Sequence, residues 1–216
     1  GNTFKSKPNQ FNYDIKSITA ATYKPQIIEQ TVDTLWPYIN RQMLYGHHLG
    51  LKGNMKTLFE TNDPKALKLD RQIQDVKTNI INQNRCQPKG VYQFFKVRRD
   101  NNTMIILNES ETKELQQFTF PRQPDGYQFC LTDFIHPEKV DTLCFFVVSS
   151  GQDILDYAKE LKEKEEFLAS HIANAIGLEL TEAFSESIHQ HIRSEWGFPD
   201  NPNNTIDDLF KLKFQG

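Results

Sequence analysis

A chain of 216 residues with 38% apolar and 25% charged residues has an ordinary globular composition, enough for one large domain or two small ones. Its formal charge of −3, with lysine and arginine scattered among acids, excludes the strong positive field of a nucleic-acid surface. No run approaches the ~20 apolar residues of a membrane span, and the opening GNTFKSKPNQFNYD lacks the apolar core of a signal peptide.

Cys86, Cys130 and Cys144 are odd in number and far apart, so they make neither a metal spacing nor a disulfide framework. They read as small buried hydrophobes in a soluble, cytoplasmic protein with no membrane partner.

Residues 1–25 are polar, carry Pro8 and Pro25, and read as a lead-in or linker. A helical stretch is expected from Gln26 to about Tyr45, kinked or divided at Pro37. Asp63-Pro64 supplies an N-cap and a proline at the first helical position. Ala66, Leu69, Ile73, Val76 and Ile80 then follow at spacings of three and four, which predicts an amphipathic helix. Gly90–Val97 is rich in aromatic and β-branched residues and reads as a strand. Asp100-Asn101-Asn102 supplies a turn, and Thr103–Leu107 returns. Gly126–Thr132 and Thr142–Ser149 are further expected strands, the second apolar on both faces and therefore central. Helices are predicted over Asp153–Lys164 and Glu166–Trp196, and Thr205 opens a short last one. This order of helices, strands and helices predicts an α+β fold with a largely antiparallel sheet.

The long helix carries the polar pattern of most interest. Leu168, Ile172, Ala175 and Ile176 form an apolar stripe that Glu179, Glu182 and Glu186 continue, with His189 and Arg193 close by. Two readings fit: a surface ladder of Glu186, His189 and Arg193, or a cleft wall whose carboxylates attract a cationic or hydroxylated ligand. The pairs His47-His48 and His189/His191 diverge on a helix, so no metal site is expected. Arg122, in a loop between Pro121 and Pro124, reads as a surface arginine or an anion contact. Phosphate-loop, dinucleotide and nucleophile-elbow motifs are missing from the sequence, and no catalytic residue stands out.

Several strings, in one order, resemble the activation domain of cobalamin-dependent methionine synthase. They are WPYINRQMLYGHHLGLKG (Trp36–Gly53), KGVYQFFKV (Lys89–Val97), QFTFPRQ (Gln117–Gln123), YQFCLTDFI (Tyr127–Ile135), CFFVVSSG (Cys144–Gly151), LELTEAFSESIHQHIRSEWGF (Leu178–Phe198) and KLKFQG (Lys211–Gly216). The resemblance implies a single helmet-shaped α+β domain with a curved antiparallel sheet over residues 26–216.

It also implies a role. That domain docks on the cobalamin-binding domain and presents S-adenosylmethionine, while flavodoxin or another reductase supplies an electron, so that oxidised cobalamin is remethylated. By resemblance, the cleft residues for S-adenosylmethionine are Asn40, where the family has Asp, together with Glu182 and Glu186. The family string continues into an Arg and Gly-Tyr-Pro-Ala-Cys-Pro, which this sequence does not contain. The expectation is therefore an incomplete S-adenosylmethionine site, with weak or no binding and no activity by the chain alone. The alternative is a non-catalytic homologue that docks on a cobalamin domain or a flavodoxin-like reductase.

Overall fold

The computed structural model describes residues 11, 13 and 20–211, apart from the side chains of residues 207 and 210. Most of the expected lead-in over 1–25, and the end of the KLKFQG string, lie outside the described residues. Its elements run β1 (Gln26–Glu29), α1 (Val32–Leu35), α2 (Met55–Glu60), α3 (Pro64–Asn82), β2 (Lys89–Asp100), β3 (Thr103–Leu107), β4 (Glu114–Thr119), β5 (Asp141–Ser149), α4 (Asp153–Glu163), α5 (Phe167–Trp196) and α6 (Ile206–Phe210). The fold is α+β, with strand order β1-β2-β3-β4 and β5 paired to β2. The ladders of β2 with β3 and of β3 with β4 are antiparallel. Among the described residues, no helix is long and apolar enough to cross a membrane.

The chain forms two compact units, one of Gly1–Gln26, Tyr92–Phe146 and Glu195–Gly197, the other of Ile27–Val91, Val147–Ser194 and Phe198–Gly216. The first unit is built on the β2–β3 hairpin. Its two-residue turn places Asn101 at φ 51°, a conformation asparagine tolerates, and Asp100 pairs with Thr103 across it. Val97, Met104, Ile106 and Ile135 form its core, with Phe95, Phe120 and Leu143 packed against them. Phe94 meets Trp196 at 5.5 Å, and the Tyr92 hydroxyl donates to Glu195 Oε2 at 2.7 Å.

Two expectations fail in this unit. Gly126–Thr132 is not a strand: the Asp133 carboxylate accepts from the Cys130 backbone N–H at 3.0 Å, which starts a 3₁₀ turn over Leu131–Phe134. Nor is β5 a covered central strand, since it leaves Phe145 and Phe146 exposed. Of the two readings of Arg122, the structure has the anion contact, since it grips the buried Asp133 carboxylate through two contacts of 2.9 Å.

The second unit is mainly helical. The Asp63 carboxylate accepts from the backbone N–H groups of Lys65 and Ala66, and α3 buries Ala66, Ile73, Val76 and Ile80 as its spacing predicts. The expected helix from Gln26 is corrected: Gln26–Glu29 is a strand, and helix begins at Val32 behind a Thr31 capping box. Pro37 lies in a 3₁₀ turn, Ile39 is extended, and Gln42–His48 winds as a π-helix. Gly90 is required by close packing, because a Cβ there would lie 3.0 Å from Val148 and 3.2 Å from Phe184.

Candidate functional site

Helix α5 is 30 residues long, about 45 Å at 1.5 Å per residue. Its inward face buries Ile172, Ala175, Ile176, Leu180, Ala183, Phe184 and Ile188. Leu168, expected in that stripe, is 49% exposed, because the first turn of the helix extends past the packed region. Advancing about 100° per residue brings Glu182, Glu186, His189 and Arg193 into an arc of roughly 60°. The acids and bases of the sequence pattern therefore share one side of the helix.

A buried ion pair lies on the same side of the helix. Arg193 is 1% exposed and donates from Nε to Asp200 Oδ1 at 2.7 Å and from Nη2 to Oδ2 at 2.8 Å. The carboxylate that grips Arg193 thus comes from the loop beyond the helix. Glu186 Oε2 is buried and has no hydrogen-bond partner among the described residues. Burial raises the Glu186 carboxyl above its ordinary range; Glu182 and Asp200 add to the rise and Arg193 opposes it. His189 shifts the other way, lowered by burial and then by Arg193, with Asp200 opposing. Both environments favour the neutral form of the group concerned.

The three residues singled out from the sequence are placed as follows. Glu182 is exposed and near enough to Glu186 to raise its pKa. Glu186 is half-buried. Asn40 sits after the extended Ile39, and its side-chain oxygen accepts from the Met43 N–H at 3.1 Å. Its strand of chain is tied to α5 by the Tyr38 hydroxyl, which donates to Gln190 Oε1 at 2.8 Å, one turn beyond Glu186. A surface cavity of about 410 Å³, lined by Glu29, Thr31, Asp33, Asn84, Cys86 and Lys89 among others, contains none of the three.

Glu179 is buried and paired within the fold. It is 4% exposed, and its Oε1 meets His48 Nε2 at 2.8 Å. The His171 Nε2 in turn lies 2.8 Å from the His48 carbonyl, so the end of the π-helix is fixed to α5 at two points. Sequence reasoning missed both His48 and Asp200, because neither partner lies at a helical spacing from its mate. Among the described residues, no group of three or more His, Cys, Asp or Glu side chains is arranged to hold a metal ion.

Residues 31–216 match the family model described as vitamin B12 dependent methionine synthase, activation domain. The methionine synthase of Mycobacterium leprae (strain TN) is 33% identical over 141 residues, covering 58% of this chain and 12% of that protein. The methionine synthase of Mycobacterium tuberculosis (strain ATCC 25618 / H37Rv) is 32% identical over 220 residues, covering 94% of this chain and 17% of that protein. The chain therefore spans less than a fifth of the length of these relatives. The crystal structure of the MetH reactivation domain bound to AdoHcy superposes with a TM-score of 0.84 at 22% identity, covering 95% of this chain and 67% of that one, and shares the fold. This chain belongs to the family of activation domains of vitamin B12-dependent methionine synthases.

Proposed function

We propose that this activation domain supports reductive remethylation of cob(II)alamin in the cytoplasm, with S-adenosylmethionine as methyl donor. In this reading residues 26–216 form the domain and 1–25 lead into it. The domain works against a cobalamin-binding domain that holds the corrinoid, and flavodoxin or another reductase supplies the electron. S-adenosylmethionine contributes an electrophilic methyl group on a positively charged sulfur.

The residues of this chain suit that cation. The observation that carries the reading is the buried, unpartnered Oε2 of Glu186 beside the exposed carboxylate of Glu182. An ionised carboxyl there lacks a donor, and a sulfonium or ammonium group compensates its charge at short range. Arg193 is held by Asp200, so its charge only partly offsets that of Glu186. Asn40 offers an oxygen but no charge, which makes it an orienting acceptor rather than a counter-ion.

Backbone amide shifts of the isotopically labelled chain, followed by NMR during titration with S-adenosylmethionine, test the assignment even for weak binding. The expected result is a set of changes centred on Asn40, Glu182 and Glu186. Changes confined to other regions, or none at millimolar ligand, would remove these residues from the site.

A further inference from the structure

The polar lead-in carries two aromatic residues that are seated on the first unit. The Phe11 ring meets Phe134 edge-on at 5.0 Å and Phe129 at 5.7 Å, and it stacks on Tyr13 at 6.1 Å. The Tyr13 hydroxyl donates to the Asp133 backbone oxygen at 2.6 Å. Arg99 places its guanidinium 5.5 Å from the Tyr13 ring centroid, with Nη2 3.5 Å from the hydroxyl, and the His136 ring lies 5.7 Å away.

The seat is rigid. Arg99 Nη1 donates to the Thr132 carbonyl at 2.9 Å, and Arg122 and the Cys130 N–H hold the Asp133 carboxylate. The Asp133 backbone oxygen is thereby aimed at a donor from outside the turn, and the arginine face at an aromatic ring.

We propose that Phe129, Phe134, Arg99 and His136 form a recognition surface for a Phe-x-Tyr segment, filled in cis by Phe11 and Tyr13 as a reversible latch. The occupant is specified by chemistry. A phenol satisfies the carbonyl and the arginine face together, and a second ring two residues earlier meets the edges of two phenylalanines. Reversibility follows from how little is covered, since Phe134 remains 70% exposed beneath the latch. Both latch residues precede residue 31, where the family match begins. Closed, the latch fixes where the lead-in meets the domain. Open, it frees the surface for another aromatic segment.

The test uses the full chain, a Phe11→Ala/Tyr13→Ala double variant and a labelled peptide of residues 7–17, followed by fluorescence anisotropy. The cis segment acts at an effective concentration near the millimolar range, so the double variant is expected to bind the peptide about tenfold or more tightly than the natural chain does. Adding Phe134→Ala, a change at an exposed position that leaves the fold intact, should abolish that binding. Equal binding to both chains, no binding to the double variant, or binding that survives Phe134→Ala would overturn the proposal.

Discussion

Arg193 and Asp200 face each other through two parallel hydrogen bonds of 2.7 and 2.8 Å, with the arginine 1% exposed. The pair ties the loop after α5 back onto the helix and fixes the positive charge seen by Glu186 and His189. Asp200→Ala leaves a buried guanidinium without its carboxylate, and should lower stability by about 3–5 kcal/mol. Denaturant unfolding measures this directly; a loss below about 1 kcal/mol would mean that water reaches Arg193 freely.

Glu186 predicts a pH-dependent gain on mutation. Its folded-state carboxyl titrates above the ordinary range, mainly through burial. A raised acid contributes its full stability below the unfolded-state pKa and loses it as pH rises through the folded value. Glu186→Gln is neutral throughout. It should therefore melt higher than the natural chain at pH 7.5, by less than about 1 kcal/mol after solvent screening, and match it near pH 3.5. Melting curves at the two pH values check both the sign and the convergence.

His48 and Glu179 form the second long-range tie of α5. Replacing His48 with Ala strands a carboxylate that is 4% exposed, at a cost of about 2–4 kcal/mol. Glu179→Gln in the same chain should recover a substantial part of that loss, because the remaining group is neutral. A double-mutant cycle from urea unfolding separates the pair from packing effects.

The Cys86 and Cys144 thiols should be inert in the folded chain. Burial pushes Cys86 up to about 12, with Asp153 adding to the effect. It also pushes Cys144 up to about 12, where the Glu195 charge adds and a backbone hydrogen bond from Gln93 opposes. At pH 8 the thiolate fraction is then on the order of one in ten thousand. Iodoacetamide at that pH should leave both unmodified for hours and label them promptly in urea, as read by mass spectrometry.

Local signals were legible in the sequence and long-range ones were not. Helix α3 was readable because its cap, its proline and its apolar spacing all lie within the helix itself. The β2–β3 hairpin was readable from its aromatic run and its asparagine turn. Strand β4 was missed because its residues are all exposed and mostly polar, and only the ladder to β3 defines it. Strand β1 is four residues long and lies inside a stretch whose apolar spacing also suits a helix. The apolar run of β5 suggested burial, yet Val147 is 68% exposed. At the candidate site the acidic arc of α5 followed from periodicity alone. What makes Glu186 unusual is mainly its burial, which depends on packing that no spacing rule fixes.

The charge of Glu182 and Glu186 is the centre of the account, and calorimetric titration with S-adenosylmethionine tests it most directly. If these carboxylates meet the ligand's positive charge, Glu182→Gln should weaken binding by about tenfold or more, the scale of a charged hydrogen bond. Affinity for the thioether analogue S-adenosylhomocysteine, whose sulfur is uncharged, should change less. Equal affinity of the natural chain and Glu182→Gln for S-adenosylmethionine would contradict the assignment of this face of α5 as the ligand wall.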